Sequence, residues 1–357
     1  MPNLNIKEAQ PRQQGLDILR GLMASGVMVY HLRYWHHFSN DYNLLINKIG
    51  LYGVSVFYIL SGATFFLVYQ NTDFKVLENL KYFWIKRFFR IFPLFWVVSL
   101  LTIPIINSPI TFQRIFLNFT GLFSVFDLMA HLCTGGWSIG VELCFYLMFP
   151  ILLLAFKYKP ILFYTLLIFS LLLSIFFSFH LLDSSKILPA QWTVYVNPFN
   201  HLLFFVGGMF LGIYYKHFAI SQWICWSFVV VLGLVFAYFP ASQSIDLATG
   251  LNRIFLNILS LVFCFFFLKL QFPKNILRRF LLYLGEISYS IYLVHPLVFV
   301  GNSPIFKYLA HYIQIDPALK VGLLMLETFV ICGFVYYFFE KKFIQIGNEM
   351  VNRMKII

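Results

Sequence analysis

Charge is what this chain has least of. Only 14 of its 357 residues are Asp or Glu, and charged residues of both signs make up 11%. Soluble domains carry roughly a quarter charged residues, so a sizeable water-facing domain is excluded. Cysteine is scarce as well. Cys133, Cys144, Cys225, Cys264 and Cys332 are scattered, mostly through apolar stretches, and none forms a CxxC pair. That spacing argues for ordinary burial and against a metal or redox centre. There is no low-complexity tail and no tandem period. No cleavable leader is expected either: residues 1–14 are polar, and the first apolar run is long and interrupted by Arg20.

What fills the chain is apolar. Sixty per cent of it is hydrophobic, with 45 Phe and 21 Tyr. Runs of about twenty residues, each long enough to cross a bilayer, fall at 15–36, 49–69, 91–107, 137–156, 161–182, 198–215, 222–240, 252–270, 281–301 and 319–339. The expectation is an all-α polytopic membrane protein of about ten transmembrane helices. One membrane domain, 15–340, is flanked by cytoplasmic segments 1–14 and 341–357. With the N-terminus in the cytoplasm, 18 Lys and Arg fall on the cytoplasmic side and 7, Lys48 among them, on the other, while Arg20 lies within a helix. Cytoplasmic termini satisfy the positive-inside rule and require an even helix count. Topology therefore accounts for most of the net charge of +12, and no nucleic-acid partner is inferred. The segment 81–90, KYFWIKRFFR, reads as a basic aromatic stretch able to lie along the membrane surface. The stretch 108–136 reads as re-entrant or surface-lying.

The candidate chemistry begins in the first run, LDILRGLMASGVMVYHLRYW. Arg20 and His31 are eleven residues apart. Eleven steps of ~100° bring both side chains onto one helix face, ~16 Å apart along the axis. Ionisable groups inside a membrane are costly and face a bundle interior or an aqueous cavity. The pair thus predicts a polar path with a proton-handling group along it, and histidine is the usual general base near neutral pH. Asp17, one turn before Arg20, can hold the guanidinium or form a plain interfacial ion pair. Glu142, in GGWSIGVELCFYLMFP, lies about as deep in the fourth run as His31 does in the first. It is expected to orient or charge the imidazole. Arg87 and Arg90, one turn apart with Lys86 beside them, suit phosphate binding. GEISYSIYLVHPLVF places His295 before Pro296, which can kink the helix, among the hydroxyls of Tyr289, Ser290 and Tyr292. This cluster is expected to support the site. No metal site is expected, and the remaining histidines are assigned no role.

Taken in order, these segments resemble the acyltransferase-3 family of integral membrane acyltransferases. The matching stretches are LDILRGLMASGVMVYH with Arg20 and His31, GVSVFYILSG with Ser61 and Gly62, RFFRIFPLFW with Arg87 and Arg90, WSIGVELCFYLMFP with Trp137, Ser138 and Glu142, and SYSIYLVHP. The second stretch departs from the family pattern, with Ser55 where an acidic residue is frequent and Tyr58 at an apolar or aromatic position. The resemblance implies transfer of an acyl group, usually acetyl from cytoplasmic acetyl-CoA as co-substrate, onto a carbohydrate hydroxyl. It also implies a bacterial inner membrane, bound lipids, and an acceptor such as O-antigen, lipooligosaccharide, capsule or exopolysaccharide, free or lipid-linked. His31 can act as general base or carry the acyl group covalently. Acylation of a lipid, peptide or small molecule is the alternative within this class. A proton-coupled transporter or polysaccharide exporter also suits intramembrane Arg, His and Glu, but the two related halves common in transporters are not seen.

Overall fold

A computed structural model describes residues 13–106, 109–309 and 315–355. Lys7, Arg12, Ser108 and His311 lie outside the described residues, as do the last two positions of the C-terminal segment. Every described regular element is helical. The principal helices are α1 (Gln14–Trp35), α2 (Leu45–Tyr69), α3 (Leu77–Thr102), α4 (Phe112–Thr120), α5 (Gly136–Tyr158), α6 (Pro160–Phe176), α7 (Pro198–Tyr214), α8 (Gln222–Tyr238), α9 (Gly250–Leu268), α10 (Ile276–Glu286), α11 (Ser288–Leu309), α12 (Pro317–Val335) and α13 (Lys341–Met354).

Each of the ten apolar runs falls on helix. By length and composition, six helices among the described residues are candidate membrane spans, or up to eight if two bent pairs count as one span each. The protein is therefore a multi-pass membrane protein. Large apolar side chains on the periphery, including Ile161, Trp223, Leu251 and Ile276, are more than three-quarters exposed; such a surface suits lipid.

The helices approach closely where glycine removes the Cβ. A Cβ on Gly62 of α2 would stand 2.1 Å from the Phe205 carbonyl of α7, and one on Gly208 of α7 would stand 2.1 Å from the Ile59 carbonyl of α2. Small residues allow such contacts, which drive helix association where lipid tails abolish the hydrophobic gain. Gly21 of α1 and Gly285 of α10 do the same for a second seam. There, Cβ atoms would meet the Gly285 nitrogen at 2.5 Å and the Asp17 carbonyl at 2.3 Å. The two seams hold α1 and α2 against their neighbours and fix the walls of a central polar path.

Two expectations are corrected. Residues 81–90 do not lie along a membrane surface. They are turns of α3, which runs unbroken past Pro93 and with its 3-10 extension spans Leu77–Ile105. No helix breaker stands between Lys81 and Arg90, and the aromatic faces find partners inside the bundle, as Phe83 does at full burial. The ninth run bends by 71°, but at Ile287, between α10 and α11, rather than at Pro296, which sits inside α11. Within the C-terminal segment, residues 341–354 form α13. A π-helical turn, Tyr336–Glu340, joins it to α12, and Gly347 and Val351 bury its apolar stripe. Gly347 fits against the Phe89 side chain of α3.

Candidate active site

Three neighbouring cavities follow α1 from its Gln14 end to its Trp35 end. A vestibule at the Gln14 end is lined by Asp17, Lys86, Glu286 and Asn348 among others. Above it lies a lower chamber of about 160 Å³ whose wall includes Ser61, Thr64, Glu142, Tyr146 and Tyr289. Arg20, Arg87 and Arg90 line both spaces. An upper chamber of about 420 Å³ contains His31. The two chambers share Val54 and Tyr292 as a common wall. The shared face expected of Arg20 and His31 is thus realised as one path, with the arginine below the wall and the histidine above it.

The three arginines are held differently. Arg20 donates to Thr64 Oγ1 at 3.2 Å and approaches Asp17 at 3.5 Å. Arg90 forms an ion pair with Glu340, a residue only 2% exposed. Glu340 also accepts a 2.7 Å bond from Ser290. Arg87 meets no carboxylate at ion-pair distance among the described residues. It reaches Tyr69 at 3.5 Å, lies 4.9 Å over the Phe65 ring, and its buried Nε has no hydrogen-bond partner. A buried guanidinium so held is short of acceptors. Lys86 lines the vestibule below it.

Glu142 does not pair with His31. Its Oε1 accepts from Ser61 Oγ at 2.6 Å and from Tyr146 Oη at 2.8 Å, and it faces the lower chamber. The common depth expected of the two is not met: Glu142 lines the lower chamber and His31 the upper one, and α5 turns Glu142 towards Ser61 of α2. His31 instead meets His295: Nδ1 to Nε2 is 2.9 Å, with the rings within 10° of parallel. His295 Nδ1 lies 2.8 Å from the Ile291 carbonyl. A carbonyl only accepts, so His295 Nδ1 carries the proton and its Nε2 is an acceptor. His31 Nδ1 must then be the donor between the rings. The chain of bonds leaves His31 Nε2 bare, as a general base requires. Trp35 stacks on His31 at 5.3 Å and 15°, which further fixes the ring.

The wall is built at the start of α5. Gly135, at φ +77°, turns the chain into the helix, and its missing Cβ makes room for the Tyr292 hydroxyl. Tyr292 Oη and Ser138 Oγ share a 2.6 Å bond. Trp137, next in the chain, packs edge-on to Trp192 at 5.3 Å and lines the upper chamber. Tyr289 donates to the Ile91 carbonyl at 2.8 Å, so it and Ser290 tie α11 to α3 and to Glu340 rather than to His295. In the loop before α5, His131 also lines the upper chamber. Burial is the main cause that holds its imidazole below the usual histidine range, against a 2.8 Å bond to the Leu128 carbonyl. It is therefore neutral at neutral pH.

Sequence reasoning missed Glu340, Thr64, Tyr146 and Tyr69. Only Glu340 left a signal, as a lone carboxylate closing the apolar run ICGFVYYFFE.

The chain is 26% identical over 365 residues to the O-acetyltransferase OatA of Staphylococcus aureus, a match covering 88% of this chain and 56% of that protein. It is 30% identical over 162 residues to the peptidoglycan O-acetyltransferase OatA of Listeria monocytogenes, covering 40% of this chain and 24% of that protein. The chain thus spans about half the length of the curated Staphylococcus relative. No solved structure matches. An acyltransferase domain model matches residues 13–337, nearly the whole bundle and every residue of the path up to α12, and with that match the chain belongs to the acyltransferase-3 family of membrane acyltransferases.

Proposed function

We propose that the protein is an O-acetyltransferase of a bacterial inner membrane, moving acetyl from cytoplasmic acetyl-CoA to a hydroxyl of a cell-surface carbohydrate. The observation that carries this reading is the path itself: cationic side chains at one end, a histidine base with a bare nitrogen at the other, and a wall one side chain thick between them. The names of the relatives support O-acetyl transfer to a polymer.

In this reading the Gln14 end faces the cytoplasm, as the basic residues favour. Donor phosphates meet Lys86 and Arg87 at the vestibule, beside Arg90, which Glu340 holds in place, and Arg20 guides the slender thioester arm upward. The acceptor enters the upper chamber. Its hydroxyl oxygen attacks the thioester carbonyl carbon while His31 Nε2 takes the hydroxyl proton. The carbon–sulfur bond then breaks, and the departing sulfur collects that proton from His31, releasing CoA thiol. His295 acts as a positioning residue that keeps His31 in the required tautomer, the role an orienting partner plays in other histidine bases. Glu142, held by Ser61 and Tyr146, balances arginine charge in the lower chamber.

The test uses the full chain in nanodiscs with acetyl-CoA and a glycan extract, following free thiol. Wild-type protein should release thiol in an acceptor-dependent way. His31→Ala should cut turnover by about 10²–10⁴-fold with its melting temperature retained. Full activity in that variant removes His31 from the mechanism.

A further inference from the structure

The upper chamber differs from the rest of the path in one respect that bears on its ligand. Among the described residues lining it there is no Asp, Glu, Lys or Arg. The charged side chains of the flanking segments stand outside that lining. Arg33 lies over the Phe38 ring at 4.5 Å, its buried Nε without a hydrogen-bond partner, and Arg114 donates to the Ala130 and His131 carbonyls at 3.2 and 2.8 Å. Lys48 is buried on the Ala237 carbonyl at 2.6 Å. Asp246 accepts from the Ser242 and Gln243 backbone at 2.9 Å each, and Asp41 accepts from Asn43 at 2.9 Å.

In place of charge the chamber offers rings and hydroxyls. Trp192 and Tyr34 both line it, Trp192 braced by Tyr195 at 5.2 Å and Tyr34 half exposed beside Tyr30 at 6.3 Å. The Tyr30 and Tyr42 hydroxyls stand 3.3 Å apart, and Thr134 and Ser244 add two more. At about 420 Å³ the space falls within the roughly 300–1,000 Å³ of small-ligand sites. A pyranose ring has an apolar C–H face that packs on an aromatic plane and a rim of hydroxyls that exchange hydrogen bonds with tyrosine, serine and threonine. A carboxylate or phosphate brought here would lose its water without gaining a cation, which is strongly unfavourable.

We infer that the upper chamber binds an uncharged sugar unit, gripped by stacking on Trp192 and Tyr34 and hydrogen-bonded by Tyr30, Tyr42, Thr134 and Ser244. This deepens the acetyl-transfer reading and rests on it. It narrows the acceptor: the unit acetylated is neutral, whatever charge the rest of the polymer carries.

The experiment gives the full chain in nanodiscs acetyl-CoA with one of three probes: N-acetylchitotetraose or maltotetraose, both neutral, or tetragalacturonate, which is anionic. Acetyl incorporation is read by mass, and binding by quenching of tryptophan fluorescence. The neutral probes should bind and accept acetyl at least about tenfold better than the anionic one. Trp192→Ala should raise the acceptor KM about tenfold, and Trp192→Phe should restore most of it. The rise falls on the acceptor KM, which a general loss of folding does not produce. Thr134→Lys should admit the anionic probe. Equal or better use of tetragalacturonate by the wild type overturns the inference, as does an acceptor KM unmoved by Trp192→Ala and Tyr34→Ala. Thiol release that persists with water or a fatty alcohol, while no sugar binds, also overturns it but leaves acetyl transfer standing. Absence of any donor-dependent thiol release removes the acetyl-transfer reading itself.

Discussion

The lower and upper chambers sit on one helix, share two wall residues and have opposite characters. The lower one, with its vestibule, collects Arg20, Arg87, Arg90, Lys86, Asp17, Glu142 and Glu286. The upper one is lined by rings, hydroxyls and the His31 imidazole, with no Asp, Glu, Lys or Arg among its described residues. A bilayer makes charge expensive at both depths, so the contrast reflects what each space receives. A charged space fits a charged ligand, and a ring-lined space fits one that stacks.

The sharpest way to break that contrast is within the charged half. Glu340 is buried and Arg90, partly exposed, is its ion-pair partner, so Arg90→Ala strands a buried carboxylate and should cost up to about 3–5 kcal/mol of stability, seen as a fall in melting temperature. Restoring neutrality with Arg90→Ala/Glu340→Gln should recover most of it. Arg87 has no carboxylate to strand. Arg87→Ala should leave the melting temperature nearly unchanged and raise the donor KM by about 10–100-fold, since charge-assisted bonds to phosphate contribute about 1.5–3 kcal/mol. If the two variants behave alike, the distinction between a structural and a ligand-binding arginine fails.

The upper half is tested by its tautomer chain. His295→Ala frees His31 to take either tautomer and should lower kcat about 10–100-fold, the range seen when a histidine's orienting partner is lost. The donor KM should hold. His295→Gln, whose amide can accept from His31, should recover part of the loss, and a uniform loss in both variants assigns His295 to packing alone. The smallest effect is expected at the wall: Tyr292→Phe removes the Ser138 bond and should cost about 1 kcal/mol by denaturant melting, without changing either KM.

The sequence showed the helices because apolar runs of membrane length carry their own signature, and it showed the Arg20–His31 register because both residues belong to one helix of known pitch. It did not show which helices touch. His31 meets His295 across 264 positions, and Arg90 meets Glu340 across 250. Glu142 illustrates the limit: counting residues from the helix ends put it level with His31, whereas the fold sets it in the lower chamber, facing α2. Aromatic residues of the upper chamber were equally hidden. In a chain with 45 Phe and 21 Tyr, ring-rich stretches carry little information until the fold separates those facing lipid from those facing the cavity.

The thin wall has a consequence for the membrane as well as for the reaction. A path holding arginines, a glutamate and a histidine along one helix is, in electrical terms, most of a conductor. Val54 and Tyr292, which line both chambers, and the Ser138 hydroxyl bonded to Tyr292 stand between its two halves. In the acetyl-transfer reading, the side chains at which the reactants meet must therefore also serve as the insulator that keeps a proton gradient from running down through the protein.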